Sequence, residues 1–572
     1  MKLWLALLLC ALPAAAAERT APAVDAPSRA AAIEPPAYGL TEGPASIVPS
    51  AAPAAAAQAA ASADSISAPA AAPAVIGSLT SSDPGAKDGA GRFGEQKLRI
   101  IHVAAELVPF VKKGGLGEVA GMLARNQATL GHDVTNIVPR SASFDSVVEF
   151  EPLPVKLRVR VGDRVVETGV SQARLHGVRI LRLENELFDR RDIYDQHDMG
   201  ERFIALPRAA LEAASALGLR PDILHFHDWH AALGAPMTKL AVSPAVDPEV
   251  AKAKTVLTAH NAGYGFQGWY PLDFALKAGF SPDELRWDSL AHKDHFNYLK
   301  AGFQYADAIT TVSLNHRHEL LQWAAELESV LQHRADRFFG FPNPVNPALH
   351  PSRDPKLFQE YDLRTAMAGK AANKTALQKE LGLPVDADIP MFVVASRLNA
   401  GQKGMDLVLA AAPVIAAKGG QLVVQGVGDP EIVSALEDLQ RRYPRNIVFR
   451  NSFGAPGPLY AAGDFLLMPS RYEPGGLSNA EAQAYGAKPI VTPVGGMVDR
   501  TLDIRRHPEG DGFVMTDVSA DSLIAAVQAA FAHFSDKAAL ERSTRMAMRH
   551  ERAWDGVREY LALYRRLLTR AD

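Results

Sequence analysis

Cysteine is all but missing from this chain: Cys10 is the one example in 572 residues. Beyond it there is no material for a disulfide, a thiolate nucleophile or a cysteine metal site. An excess of one charge is missing too. The 60 Lys and Arg side chains stand against 64 Asp and Glu, a formal net charge of −4, which gives no electrostatic footing for nucleic acid or an anionic membrane. The apolar run Leu3–Leu12 is too short to span a bilayer. It fits a secretory leader instead, with a positive start at Met1-Lys2 and the small residues Ala15-Ala16-Ala17 as a cleavage site before Glu18. Residues 1–17 therefore read as a signal peptide, which implies a periplasmic or secreted protein. Residues 18–95 are rich in Ala, Pro and Ser. They offer too little apolar surface to offset the entropy of ordering and read as a disordered linker.

What remains is long enough for two or more domains, with an ordinary soluble composition of 48% hydrophobic and 22% charged residues. Short branched apolar runs at Leu98–Ala105, Thr135–Val138, Ile223–Phe226, Thr255–Ala259 and Ala308–Val312 predict buried strands. Helical patterns lie between several of them, the first from Glu118 to about Leu130. The alternation restarts at Pro390–Ala395, with strands at Gln421–Gln425, Ile447–Arg450, Phe465–Met468 and Pro489–Thr492. Helices are predicted at Met405–Ala417, Glu431–Tyr443 and Gly476–Tyr485. Strand–helix alternation of this kind predicts two doubly wound α/β domains with parallel sheets. The divisions fall at 96–345, 346–545 and a terminal segment 546–572, whose helical pattern carries Val557, Tyr560, Leu561, Tyr564 and Leu568 as an apolar stripe that docks across the domains. In open α/β sheets ligands bind beyond the carboxyl ends of the strands, so the cleft between the domains is the expected site.

Chemistry-bearing residues collect at those strand ends. After the first strand, Lys112 precedes Gly114, Gly115 and Gly117 at a helix start, a place where free amides suit a phosphate. His225, His227, Asp228, Trp229 and His230 follow another strand. Three histidines and a carboxylate raise the question of a metal. However, His225 and His227 lie on a strand while His230 opens a helix, so the set has no need to converge. A sugar wall with Asp228 and the Trp229 face is the favoured reading, and no metal is expected. His260, Asn261 and Tyr264 end a further strand. In the second domain Arg397 and Lys403 place two cations at one strand mouth, suited to a leaving diphosphate. Glu473, Gly475, Gly476 and Leu477 lead into a helix, with Glu481 eight positions after Glu473.

Taken in order, these segments resemble the bacterial glycogen synthase and plant starch synthase family (glycosyltransferase family 5-like), from about Lys97 to Leu568. Carrying the likeness are Lys112-Lys-Gly-Gly-Leu-Gly117, His227-Asp-Trp-His230, His260-Asn261, Ser396-Arg-Leu398, Gln402-Lys-Gly404, Pro469-Ser-Arg-Tyr-Glu-Pro474 and Gly476-Leu477. The resemblance implies the GT-B fold, two Rossmann-like domains facing a central cleft. It also implies metal-independent, retaining transfer of glucose from ADP-glucose or UDP-glucose to the non-reducing 4-hydroxyl of an α-1,4-glucan. On this likeness Arg397, Lys403 and the helix start at Gly475-Gly476-Leu477 stabilise the diphosphate. Glu473 holds the donor sugar, and His260 and Asp228 lie at the sugar. Lys112, with Gly114 and Gly115, meets the nucleotide phosphates from the first domain, and Trp229, Asn261 and Tyr264 line the acceptor side.

Four details depart from the family's pattern. There is one extra residue between Arg397 and Lys403. Asn343-Pro-Val-Asn346 stands for Asn-Gly-Ile-Asp, and Gly475 stands for a cysteine. Glu481 restores a two-glutamate spacing typical of neighbouring GT-B families, where the second glutamate resembles a ribose ligand. A related transferase with another acceptor, and an exported, inactive glucan binder, therefore stand beside the synthase reading. The leader conflicts with a cytoplasmic nucleotide-sugar donor, and nothing in the sequence sets the oligomeric state.

Overall fold

The computed structural model describes residues 96–569 except 143, 145, 146, 550 and 551. The leader 1–17 and the linker 18–95 lie outside the described residues. The first domain contains β1 (Arg99–Val103), α1 (Gly115–Thr129), β2 (Asp133–Pro139), β3 (Glu151–Val161), β4 (Arg164–Leu175), β5 (Val178–Glu184), α2 (Met199–Ala216), β6 (Ile223–His227), α3 (Asp228–Ala232) and β7 (Lys254–Ala259). A small sheet of β8 (Trp269–Pro271), β9 (Ala291–His292) and β10 (His295–Asn297) follows. After it come α4 (Tyr298–Tyr305), β11 (Ala308–Thr311), α5 (Leu314–Gln322) and β12 (Phe338–Gly340).

The main sheet runs β12-β11-β7-β6-β1-β2-β5-β4-β3. Six neighbouring pairs, from β12 to β5, are parallel. The expectation of a purely parallel sheet needs correcting at one edge, where β5, β4 and β3 form an antiparallel meander. The reason is visible in β3: Leu157, Val159 and Val161 point inward while Lys156, Arg158 and Arg160 point out, the period-two pattern of a strand with one face in water.

The second domain contains α6 (Ala366–Leu381), β13 (Met391–Ala395), α7 (Met405–Ala417), β14 (Gln421–Gln425), α8 (Pro430–Arg442), β15 (Ile447–Arg450), α9 (Gly457–Ala462), β16 (Phe465–Met468), α10 (Leu477–Ala484), β17 (Lys488–Val491), α11 (Gly495–Arg500), β18 (Phe513–Val514), α12 (Ala520–Ser535) and α13 (Lys537–Met548). Its sheet, β15-β14-β13-β16-β17-β18, is parallel throughout. In both sheets the winding reverses beside the first strand, at β1/β6 and at β13/β16. Those are the switch points at which open α/β sheets leave a crevice.

The last helix, α14 (Val557–Thr569), returns to the first domain. Val557, Tyr560, Leu561, Leu563, Tyr564 and Leu567 are buried among Ile100, Leu123, Val134 and Val256. The expected stripe is right in its first four members. Leu568 faces out at 40% exposed, and Leu567 takes the inward position. Arg500, buried at the end of α11, ties the parts together. It donates to Gly475 O (3.1 Å) and Asn343 O (2.6 Å) and pairs with Asp555 (3.1 Å). Among the described residues, no helix is long and apolar enough to cross a membrane.

Candidate active site

The loops after β1, β13, β15 and β16 line a cavity of about 500 Å³, within the usual range for a ligand site. From β1, the loop carrying Lys112 is held by Glu106, whose carboxylate accepts from the Lys113 and Gly114 amides (2.7 and 2.9 Å) and from the Tyr194 hydroxyl (2.5 Å). The glycines allow close approach of the two domains: a side chain on Gly115 would begin 3.4 Å from Leu477 Cδ1. Lys112 pairs with Glu118 (2.7 Å). Burial opposes its charge, but Glu118, Glu481 and Glu106 outweigh that and raise its pKa.

On the other wall, the loop after β13 is folded by the Asn399 carboxamide, which accepts from the amides of Gln402 and Lys403 (3.0 and 2.9 Å). Gly404 then turns into α7 with φ +63°, and a Cβ there would fall 2.0 Å from Pro469 O, so the position takes only glycine. Lys403 Nζ meets Glu473 Oε2 at 2.5 Å, and Arg397 rests on Gln402 (2.7 Å). The extra residue in this loop therefore still delivers Lys403 to Glu473.

Of the sequence-predicted residues, Lys112, Gly114, Gly115, Arg397, Lys403, Glu473, Leu477 and Glu481 line the cavity. Gly475 and Gly476 build the turn behind it, Gly476 with φ +59° as the N-cap of α10. Glu481 is raised to about 7, first by burial and then by the charge of Glu118. One Glu118 oxygen, Oε1, is buried without a partner. The cavity thus interleaves cations with carboxylates, Lys112 against Glu118 and Lys403 against Glu473, a lining that suits a diphosphate joined to a hydroxylated sugar. Glu118 and Phe453 also line it and escaped the sequence reading. Phe453 is 71% exposed, a flat apolar face available to a base. Its loop shows no pattern that singles it out.

His260, Asp228, Asn261, Trp229 and Tyr264 are not in that lining. The first three form an adjoining wall. Asp228 sits at φ +57°, a strained setting for a non-glycine residue. It accepts from the His260 and Asn261 amides (2.6 and 3.4 Å), and burial lifts its pKa to about 7. Asn261 Oδ1 accepts from Tyr472 OH at 2.9 Å, so this wall meets the second domain next to Glu473. Trp229 is a correction. It is 4% exposed and packed with Phe203, His230 and Tyr298, so it offers no face to a sugar. Tyr264 lies farther out, 48% exposed.

The histidines divide: His230 stays apart, as expected, whereas the other two come together. His225 and His227 are two apart on β6 and therefore share a face. Their rings stack at 4.2 Å and meet His102 from β1, whereas His230 packs on Tyr194 and Phe203. One nitrogen from each of His102, His225 and His227 lies within 4.8 Å of the others, which makes these three the described residues able to share a metal. Their nitrogens are engaged in hydrogen bonds. A chain runs Gln127–His102–His227–His260 with links of 2.8, 3.0 and 3.0 Å, and His225 joins Tyr564 and Thr258 (2.7 and 2.6 Å). Burial lowers all four histidines, His102 to about 4 and His260 to about 3, so they are neutral. The interval β1 to β6 hid His102 from a reading by local motif.

Comparison with known proteins agrees with this geometry. Residues 99–333 match the starch synthase catalytic domain family and residues 389–533 match glycosyl transferases group 1. A glycogen synthase of Anaeromyxobacter dehalogenans is 37% identical over 483 residues, covering 82% of this chain and all of that protein. Glycogen synthase 2 of Geobacter sulfurreducens is 35% identical over 482 residues, covering 82% of this chain and 98% of that protein. Among solved structures, the catalytic domain of starch synthase IV from Arabidopsis thaliana, bound to ADP and acarbose, superposes with TM-score 0.77 at 27% identity, covering 83% of this chain and all of that one. Sucrose-phosphate synthase from Thermosynechococcus elongatus shares the fold, with TM-score 0.53 and 18% identity, covering 82% of this chain and 99% of that one.

Proposed function

Since the chain belongs to the glycogen and starch synthase family and is a glycosyltransferase of that kind, we propose that its donor is ADP-glucose and its acceptor the non-reducing end of an α-1,4-glucan, with anomeric configuration retained. The observation that carries this is the meeting of Lys112, Arg397 and Lys403 from opposite domains around one nucleotide-sized cavity. The ADP and acarbose held by the Arabidopsis structure support it.

In this mechanism Arg397, Lys403 and the first amides of α10 take up the charge that grows on the diphosphate as the glycosidic bond breaks, a preorganised electrostatic contribution. Lys112 reaches the phosphates from the facing wall. Glu473, relieved of Lys403 by the incoming phosphate, is free to accept from sugar hydroxyls. Asp228 and His260 flank the sugar, and the neutral state of His260 suits it to exchange hydrogen bonds with hydroxyls rather than to add a positive charge. Glu481 and Glu118 face the ribose. Contact between the Asn261 and Tyr472 walls keeps water from the donor. No metal is required in this scheme.

The test is transfer of labelled glucose from ADP-glucose, and separately UDP-glucose, onto glycogen by the full chain. Label that α-amylase then releases supports the synthase and ranks the donors. No transfer from either donor by folded protein that still binds glycogen replaces it with a glucan-binding role. The signal-peptide reading of residues 1–17 places that activity outside the cytoplasm, and fractionation of the transfer activity between cytoplasm and exported material decides it.

A further inference from the structure

Resting on the glucan-synthase reading, we propose that Tyr264, Phe266 and Trp323, backed by Glu326 and Lys293, form a docking rim for the α-1,4-glucan polymer beside the reacting end. The three aromatics are 48%, 49% and 48% exposed. Tyr264 and Trp323 meet edge to face at 6.4 Å. Large aromatics gathered on a surface mark a contact site, and Tyr and Trp suit partners with an apolar face and polar edges. A pyranose ring has that character.

The rim is built to hold its shape. Ala325 and Glu326 both take left-handed conformations, φ +48° and +78°, which non-glycine residues adopt at a cost and mostly where function demands it. They are fixed by the fully buried Gln267, whose Nε2 donates to Ala262 O, Ala324 O and Ala325 O (2.8, 3.0 and 3.1 Å). One buried amide thus clamps the Tyr264 loop to the Trp323 loop. The turn delivers Glu326 to Tyr264 OH (3.4 Å) and Lys293 Nζ (2.6 Å), with His292 Nε2 at 3.5 Å. Behind it, His292 Nδ1 and Trp269 Nε1 are buried with no hydrogen-bond partner.

Two arguments select a glucan as occupant. Glu326 pairs with Lys293, and Glu328 also lies near Tyr264, so the rim offers hydroxyl-binding groups and no surplus of cations for an anionic partner. The rim also continues the site: Asn261, bonded to Tyr472 beside Glu473, lies three residues before Tyr264. A chain whose end reaches Glu473 meets these aromatics with its next units.

The full-length protein and its Trp323→Ala, Phe266→Ala and doubly substituted forms are compared by migration through native gels containing glycogen and by steady-state transfer. Glu326→Gln serves as a variant that keeps the side-chain shape. In the double variant, loss of glycogen retardation and a rise of about ten-fold in apparent KM for glycogen, with donor KM within about two-fold, are expected. Unchanged retardation and KM in folded variants overturns the rim and leaves the synthase reading standing. Equal rises in both KM values overturn it as well, because they report a general distortion. If the unaltered chain transfers glucose from neither donor, the synthase reading fails instead, and the gels still decide the rim. If Trp323→Ala abolishes self-association or a protein contact while glycogen retention stays intact, the rim serves a protein and the proposal falls.

Discussion

Lys403 and Glu473 pair at 2.5 Å, so a diphosphate that binds Lys403 must compete with this carboxylate for the cation. Lys403→Ala and Arg397→Ala should each lower kcat about a hundred-fold or more, the usual consequence of losing one charge-stabilising group, with thermal melting close to that of the parent chain. Near-normal rates in both would place the chemistry elsewhere. Glu481 makes a prediction of different kind. Its pKa is raised to about 7, above the unfolded value of about 4.3. Between those values the folded chain holds more protons than the unfolded one, so this residue's contribution to stability falls as pH rises. Glu481→Gln removes that dependence. The melting temperature of the variant relative to the parent should therefore climb between pH 5 and pH 8. A flat difference would show that the carboxyl ionises normally.

At the scale of elements, the turn into α7 depends on Gly404. Gly404→Ala forces a Cβ against Pro469 O in a left-handed conformation. It should cost about 2 kcal/mol or more and weaken donor binding, because Asn399 can no longer present Lys403; isothermal titration with ADP checks it. The histidine chain between β1, β6 and β7 is the other element-level device. His102 and His260 are lowered to about 4 and 3, so between those values and about 6.5 the unfolded chain takes up protons that the folded one refuses. Stability conferred by these residues is lost as pH falls through that window. His102→Leu strands Gln127 and His227, at about 1–3 kcal/mol, and flattens the acid limb of the stability profile; denaturant titrations at pH 5 and pH 7 measure both effects.

These elements also show what the sequence made legible. The strands β14, β15 and β16 and the helix α7 match their expected limits to the residue, because a short apolar run between turn residues has few other uses. Lys112, Arg397, Lys403 and Glu473, which line the cavity, are legible because each follows such a strand. The meander β3–β5 was missed, since half its residues are polar and faint alternation carries little signal. Trp229 was misplaced and His102 overlooked for one reason: which side of a strand end faces solvent, and which distant residue faces it, is decided by packing across the sheet.

On the scale of the molecule, α14 belongs by sequence to the end of the chain and by packing to the first domain. Tyr560 and Tyr564 are fully buried there, and Tyr564 OH bonds His225 while Tyr560 OH reaches Thr258. Tyr564→Ala should cost about 3–5 kcal/mol, as for other buried aromatics, and should lower the stability of the first domain although the substitution lies beyond the second. Hydrogen exchange in β1 and β6 locates the loss; protection lost only in the second domain would contradict the assignment.

The same helix dictates an order of events in synthesis. The ribosome releases β1 early, yet the surface that β1 and α1 turn toward α14 stays bare until Val557–Thr569 emerges, by which time the whole second domain has had its chance to fold. Domains usually mature in the order they are made; here the first must wait for the last. A nascent chain stalled before Val557 would carry an open apolar face, a target for chaperones and proteases, and a message cut short anywhere upstream would yield no working half-enzyme.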